Sequence, residues 1–256
     1  MILITTPTGK IGSPLLTRLL AAGTPSLRVL VRDPAKLDLH RSTSVDVIQG
    51  SLGDPAALEA AFAGVDAAFY CLPDAPDAPD YTGHYVHLAT LASAALRRKN
   101  VPRAVVVSAA GPTPADPAGP ISALHTMERI LGKSGAAFRW LRCGSFFENL
   151  LWQASSIRDR DCFSSCLPGQ VAGPHLATDD IAGVAAAWLQ RDDWTDTQAV
   201  SLLGPNDLTF DEIARLLSAH LGRTIRHECL APEAYRTELL GAGCSASAAQ
   251  GLIDMY

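Results

Sequence analysis

The sequence predicts a doubly wound parallel α/β sheet followed by a small C-terminal α/β subdomain. Three observations carry that expectation. Short β-rich runs alternate with amphipathic helical stretches through the first half of the chain, the pattern of βαβ units laying down a parallel sheet. Several strands are almost uninterruptedly apolar, as in Ala104-Val105-Val106-Val107, which suits a sheet covered on both faces. The first strand runs into a glycine-containing turn, Thr5-Thr6-Pro7-Thr8-Gly9-Lys10-Ile11-Gly12, that opens a helix.

Taken in order, strands are expected at residues 1–5, 27–31, 45–49, 67–70, 104–108 and 138–141, with helices at 11–22, 55–62, 81–99 and 121–133. Right-handed crossovers then place helices on both sides of the sheet and ligands at the carboxyl ends of its strands. Beyond residue 146 the alternation weakens. A helix at 178–190, a strand at 199–202, a helix at 210–221, a strand at 225–229 and helical stretches past Pro232 are expected there. We therefore divide the chain into a nucleotide-binding domain, 1–150, and a smaller substrate-covering subdomain, 151–256.

Two loops at the carboxyl ends are rich in Pro, Gly and Asp: 72–80, with its repeated Asp-Ala-Pro, and 111–120, with four prolines. Both readings stand for them, lids over a site or solvated connections.

Composition narrows the function. The 256 residues carry a formal charge of −5, 48% hydrophobic and 18% charged residues, and no run near the ~18 apolar residues of a membrane span. No basic stretch precedes the first strand, so no secretory signal is expected and the cytoplasm is the default location. Basic residues cluster only at Arg97-Arg98-Lys99, which argues against nucleic acid. The expected partner is a small molecule, bound by a monomer or homodimer. Of six cysteines only Cys162 and Cys166 lie close together, so neither a disulfide framework nor a metal site is expected.

A pyrophosphate binds the exposed amides of a helix N-terminus, and glycine is needed where a side chain would block the approach or the helix-to-strand packing. Gly9 and Gly12 fit the second and third glycines of a G-x-x-G-x-x-G turn, with Thr6 in place of the first. Thr6, Thr8, Gly9, Lys10, Ile11 and Gly12 are the candidate pyrophosphate contacts. A plain βα turn without ligand is the other reading. About twenty residues on, strand two ends in Val31-Arg32-Asp33-Pro34-Ala35-Lys36. A carboxylate there would take the ribose hydroxyls of NAD, whereas Arg32, helped by Lys36 or Lys10, suits the 2′-phosphate of NADP. NADP(H) is favoured over NAD(H); alternatively Arg32 only caps a solvated loop.

Together with these, Gly50-Ser51-Leu52-Gly53-Asp54, Leu141-Arg142-Cys143-Gly144-Ser145-Phe146-Phe147-Glu148-Asn149 and Asp180-Ile181-Ala182 make the chain resemble the NmrA-like branch of the atypical short-chain dehydrogenase/reductases. The resemblance implies a Rossmann sheet, with an adenine contact at Ser51 and Leu52, where relatives carry an aspartate in place of Ser51. It implies a wall along the adenosine ribose and phosphates at Leu72 and Pro73, a turn beside the nicotinamide at Ser108, and closure over the cofactor at Cys143, where relatives have proline. The Tyr-x-x-x-Lys pair of ordinary short-chain dehydrogenases is absent. Relatives often keep a lysine or histidine at the place of Leu124; His125 is displaced from it by one residue, about 100° around a helix. His125 and Ser108 are the catalytic candidates, and a histidine without a role is the competing reading for the first.

Tyr85, next to His84 and His87, and Phe146, Phe147, Asn149 and Trp152 are candidate substrate contacts, since aromatic side chains suit flat acceptors. As core-filling groups they would look the same. His175 is a further candidate, while Asp179 and Asp180 read as a helix N-cap. Three functions follow. The first is an NADPH-dependent reductase of a quinone-like or conjugated acceptor. The second is a non-catalytic NADP-binding sensor or regulator, and the third a pathway enzyme that uses the cleft for non-redox chemistry.

Overall fold

The computed structural model describes residues 1–37, 45–111 and 118–256. Part of the expected proline-rich loop, 112–117, lies outside them. The main sheet has seven parallel strands in the order β10-β6-β5-β4-β1-β2-β3. These are β1 (Ile2–Ile4), β2 (Leu27–Val31), β3 (Val45–Gln49), β4 (Ala67–Tyr70), β5 (Arg103–Ala109), β6 (Ala137–Cys143) and β10 (Gln198–Leu202). The six strands expected in the first half are all present. The order reverses between β1 and β4, the crevice where open α/β sheets hold ligands. There Thr5, buried, donates both its amide and its hydroxyl to Phe69 O.

Helices cover both faces, as the apolar strands require. α2 (Pro55–Phe62), α3 (Tyr81–Arg98) and α4 (Gly119–Leu131) pack on one face through Leu58, Phe62, Leu88, Ala92, Ala123 and Met127. α1 (Gly12–Ala21) and α6 (Thr178–Leu189) pack on the other through Leu15, Leu19, Ile181 and Ala185. The connection carrying α6 continues in the direction of β4, β5 and β6 but returns on the opposite face. Its hand is therefore opposite to that of the connections carrying α3 and α4, a departure from the right-handed rule. On that side α6 buries its small residues Ala182, Ala185 and Ala186 and lies beside α1.

The strand expected at 199–202 as part of the subdomain belongs instead to the main sheet, in register with β6. Arg139 of β6, 3% exposed, helps fix that edge: it lies between Trp188 and Trp194, 4.4 and 4.3 Å from the ring centroids, and bonds Asp196. The remaining C-terminal segments build two small sheets. One joins β7 (Ser145–Phe146), β9 (Ala172–Leu176) and β11 (Asp207–Thr209). The other pairs β8 (Cys162–Ser165) with β12 (Arg226–Cys229). A 3₁₀ stretch, Phe147–Gln153, and α5 (Ala154–Arg160) connect them, followed by α7 (Phe210–Leu221), which opens on a Thr209/Glu212 capping box. α8 (Pro232–Gly241) and α9 (Ala246–Asp254) end the chain, with α9 lying against α3 and α4. Among the described residues no helix is long and apolar enough to cross a membrane.

Candidate functional site

The turn between β1 and α1 is built around the Thr6 carbonyl. The Gly9 amide donates to Thr6 O at 3.1 Å, and a Cβ on Gly12 would stand 1.8 Å from the same oxygen. Gly12 is thus the residue that lets the helix start this close to the strand, the packing role of the third glycine. Gly9 is less confined, since a Cβ there would meet Thr6 O at an ordinary 3.4 Å. Ile11 anchors the turn in the core, and no side chain caps α1. Thr8, Gly9 and Lys10 stand exposed at the rim, while Thr6 is half-buried.

At the next strand end Arg32 and Lys36 are exposed and make no ion pair among the described residues. Asp33, the carboxylate between them, turns back to accept from the Ala35 amide and caps a 3₁₀ turn, Pro34–Lys36. Beside them, Gly50 lies against α2, where a Cβ would meet Ala57 Cβ at 2.3 Å. Ser51 is half-buried, Leu52 is buried, and Asp54 caps α2. At the end of β4, Leu72 is buried and Pro73 exposed. Burial pushes the Cys71 and Cys143 thiols up to about 12. Both stay protonated, which removes Cys143 from nucleophilic chemistry.

Ser108, one residue before the end of β5, lies on the α4 face in register with Arg142 and is 2% exposed with its hydroxyl unpartnered among the described residues. A buried hydroxyl without a partner carries a desolvation penalty of roughly 1–3 kcal/mol. His125, also buried, donates from Nε2 to Ala109 O at 3.3 Å. It lines a cavity of about 310 Å³ with Glu128, Trp140, Arg142 and Thr197, and no residue of the glycine turn reaches that cavity. Its floor carries the Arg142–Glu128 pair, doubly bonded at 3.1 and 2.6 Å. His125 and Ser108 thus share one end of β5, on the face away from α1.

Tyr85 does not stand in an open cleft. It is 6% exposed, and its hydroxyl lies 3.2 Å from that of Tyr81 and 3.3 Å from Asp74. Tyr81 donates to Asp74 at 2.8 Å, and burial raises both phenols well above their usual range. The cluster ties the 72–80 loop to α3, and α9 clamps it again: the Tyr81 amide bonds Ser247 and the Ser245 amide bonds Pro76 O. Asp74 was not legible as part of this cluster, because a loop carboxylate in an Asp-rich repeat gives no hint of which residues it meets.

The stretch after β6 carries four of the expected substrate contacts. Phe146 packs against the α1 face, whereas Phe147, Asn149 and Trp152 are exposed. Phe147 stacks on His175, centroids 5.6 Å apart, and both line a second cavity of about 260 Å³ with Leu176, Asp180 and Leu203. His175 Nδ1 donates to Gly173 O at 2.9 Å, which leaves Nε2 as the lone-pair nitrogen of the neutral ring. The N-cap expected from Asp179 and Asp180 is a correction. Ala177 holds that position, and the helix end is satisfied by Glu148, whose Oε1 accepts from the Thr178 amide at 2.9 Å and hydroxyl at 2.7 Å. Asp179 instead pairs with Arg18 of α1. Glu148 acts 30 residues away from its partner, so no local pattern announces it. Lys10 closes the arrangement by donating from Nζ to Glu148 O at 3.0 Å.

From His175 a row of rings continues into the subdomain. His175 meets Phe210 edge-on, Phe210 stacks on His227 at 4.7 Å, and Phe163 lies beyond. Burial among these rings lowers the His227 pKa, against opposing pulls from Asp211 and Glu228. The folded state therefore binds fewer protons than the unfolded chain below the ordinary histidine value of about 6.5. Stability from this group is complete above that pH and is lost as pH falls through it. Thermal melts between pH 8 and pH 5 are expected to show a falling Tm whose slope is shallower in His227→Gln; an identical slope in the variant would exclude His227 as a source.

Comparisons with known proteins agree with this geometry. Residues 7–153 match the family described as NAD(P)H-binding. The chain is 30% identical over 256 residues to the NAD(P)H azoreductase of Xenophilus azovorans, covering 100% of this chain and 86% of that one. It is 34% identical over 240 residues, 94% of this chain and 80% of the relative, to a (4-alkanoyl-5-oxo-2,5-dihydrofuran-3-yl)methyl phosphate reductase of Streptomyces griseus. Among solved structures, an NADPH-dependent quinone oxidoreductase from Escherichia coli, complexed with NADPH, superposes with a TM-score of 0.81 at 23% identity, covering 99% of this chain and 87% of that one. The triphenylmethane reductase of a Citrobacter species, complexed with NADP(H), also reaches 0.81, at 20% identity and with 100% and 88% covered. By matches along its whole length, in keeping with the NmrA-like short-chain reductase motifs in its sequence, the chain belongs to the NAD(P)H-binding family.

Proposed function

We propose that the protein is an NADPH-dependent reductase that delivers hydride to a conjugated, quinone-like or azo acceptor. The observation that carries this reading is the turn at Gly12. It seats an uncapped helix end directly against the Thr6 carbonyl, at the sheet's switch point, where a Cβ would push the helix off the strand, and the exposed turn at Thr8, Gly9 and Lys10 suits a pyrophosphate. When bound, the nicotinamide supplies the hydride. The chain's own residues do the rest. Thr6, Thr8, Gly9, Lys10, Ile11 and Gly12 hold the pyrophosphate. Arg32 and Lys36 take a 2′-phosphate, which favours NADP(H) over NAD(H), because Asp33 is committed to capping. Ser51, Leu52, Leu72 and Pro73 line the adenosine half, and Cys143, with the backbone end of β5 beside Ser108, borders the nicotinamide half.

On the acceptor side, Phe147 and His175 offer a flat apolar wall, with Asn149 and Trp152 at its margin and Phe146 behind it. The segments after β6 that build the small sheets are the covering part of this reading, while β10 and α6 remain with the main sheet. Mixing the protein with NADPH or NADH and a panel of quinones and azo compounds, and following loss of the reduced-nicotinamide absorbance, tests the proposal. Turnover with NADPH is expected. Phe147→Ala is expected to raise the acceptor KM about tenfold, a loss near 1.4 kcal/mol, with little change in KM for nucleotide.

One observation favours a second reading, the NADP-binding sensor. His125 faces a separate cavity and Ser108 is sealed on the same side, so the two catalytic candidates do not line up in the cleft, and Tyr85, expected to touch substrate, is held by Asp74 instead. Tight NADPH binding without turnover on any acceptor would select the sensor.

A further inference from the structure

Lys10 makes a contact that holding a nucleotide does not by itself require. Its ammonium reaches out of the glycine turn to the backbone oxygen of Glu148, 138 residues away. Glu148 lies in the 3₁₀ stretch Phe147–Gln153, a segment with no fully buried residue and with Leu151 60% and Trp152 55% exposed. Hydrogen-bond geometry in 3₁₀ helix is poor, and this stretch buries little apolar surface of its own, so it depends on its anchors. The polar ones are the Lys10 contact, the Glu148 carboxylate on the Thr178 end of α6, and Gln153, whose amide group bonds Ser164 at 2.9 and 2.7 Å, beside the Phe147–His175 stack and the packing of Leu150 on the subdomain core. Two of the three tie the segment to the main sheet and its helices. Only the Lys10 contact involves a group at the rim of the nucleotide turn.

We propose that Lys10 is a positioning residue, a latch that holds the Phe147–Gln153 segment over the cleft and releases it when the nucleotide arrives. The inference rests on the nucleotide reading above and adds an order of binding to it. An ammonium held by a neutral carbonyl is drawn to a phosphate oxygen, because the phosphate adds an opposite charge that the carbonyl lacks. Glu148 O loses its donor, and the segment keeps its α6 and β8 anchors, the Phe147–His175 stack and the packing of Leu150. Phe147, which forms the wall of the 260 Å³ cavity with His175, moves with it. The acceptor cavity therefore opens after the nucleotide binds, and by linkage a bound acceptor strengthens nucleotide binding by the same factor.

Hydrogen–deuterium exchange on the full chain tests this, with NADP⁺ as the probe and calorimetry run alongside to measure its binding. In the wild type, saturating NADP⁺ is expected to speed exchange of amides 147–153 several-fold. Lys10→Met is expected to show that fast exchange without nucleotide and little further change with it, while Lys10→Arg keeps the wild-type response. Lys10 is exposed, so neither variant endangers the fold. A segment that slows or does not respond although NADP⁺ binds would overturn the latch and leave the nucleotide site standing. So would a free Lys10→Met that exchanges like the wild type. Absence of NADP⁺ binding in calorimetry would overturn both.

Discussion

Alanine at Gly12 is expected to lower the melting temperature by roughly 6–12 °C and to abolish nucleotide binding. The added Cβ would stand 1.8 Å from Thr6 O, 2.7 Å from Thr6 C and 3.2 Å from Pro7 Cα, all backbone atoms that no rotamer change can move. Relief requires α1 to retreat from β1, against the packing of Leu15, Leu16 and Leu19 in the core. Overpacking of this kind costs about 3 kcal/mol at the upper end of its usual range, and each kcal/mol lowers Tm by ~2–4 °C in a chain of this size. Gly9→Ala is the informative companion. Its Cβ would make only a normal contact, so Tm is expected to stay within about 2 °C, the effect of ~0.5 kcal/mol. Nucleotide affinity is nevertheless expected to fall at least about tenfold, because the methyl group would project where a pyrophosphate approaches the backbone. Wild-type NADPH affinity in Gly9→Ala would mean that the turn is a plain βα connection.

Arg32→Ala is expected to weaken NADPH by about 10- to 100-fold and leave NADH within about twofold. A charged hydrogen bond contributes ~1.5–3 kcal/mol, and each 1.4 kcal/mol is a factor of ten. The specificity argument rests on the division of labour at the end of β2: Asp33 is occupied by the Ala35 amide, and Arg32 is left exposed beside it. Fluorescence titration of both reduced nucleotides with wild type and variant reads the ratio directly. An equal loss for NADPH and NADH would show that Arg32 contacts a part common to both, and the preference for NADP(H) would have to be abandoned. Asp33→Ala, which removes the cap, is expected to change both nucleotides alike.

The parallel sheet was legible because local pattern and burial agree there: apolar strands such as Val105-Val106-Val107 demand helices on both faces, and each helix carries its own apolar stripe. The subdomain was less so, because its strands are two to five residues long and their partners lie far away in sequence. The 198–202 strand shows the difficulty. Nothing within five residues says that its edge belongs to β6 and not to a neighbouring small sheet.

By itself the sequence determined the order of strands and helices in the first half of the chain, the closeness of α1 to β1 through Gly12, and the basic character of the second strand end; it left out β7, β8, β9, β11 and α5. Those follow from contacts a few residues apart or from the absence of a side chain. Tertiary structure alone decided that Glu148 closes α6 and meets Lys10, that Asp74 collects Tyr81 and Tyr85, and that His125 looks into a different cavity from the glycine turn. Each depends on how separate segments are brought together by burial of the two sheet faces. A polar side chain's partner is fixed only once that packing has set which backbone ends and hydroxyls lie within hydrogen-bond reach.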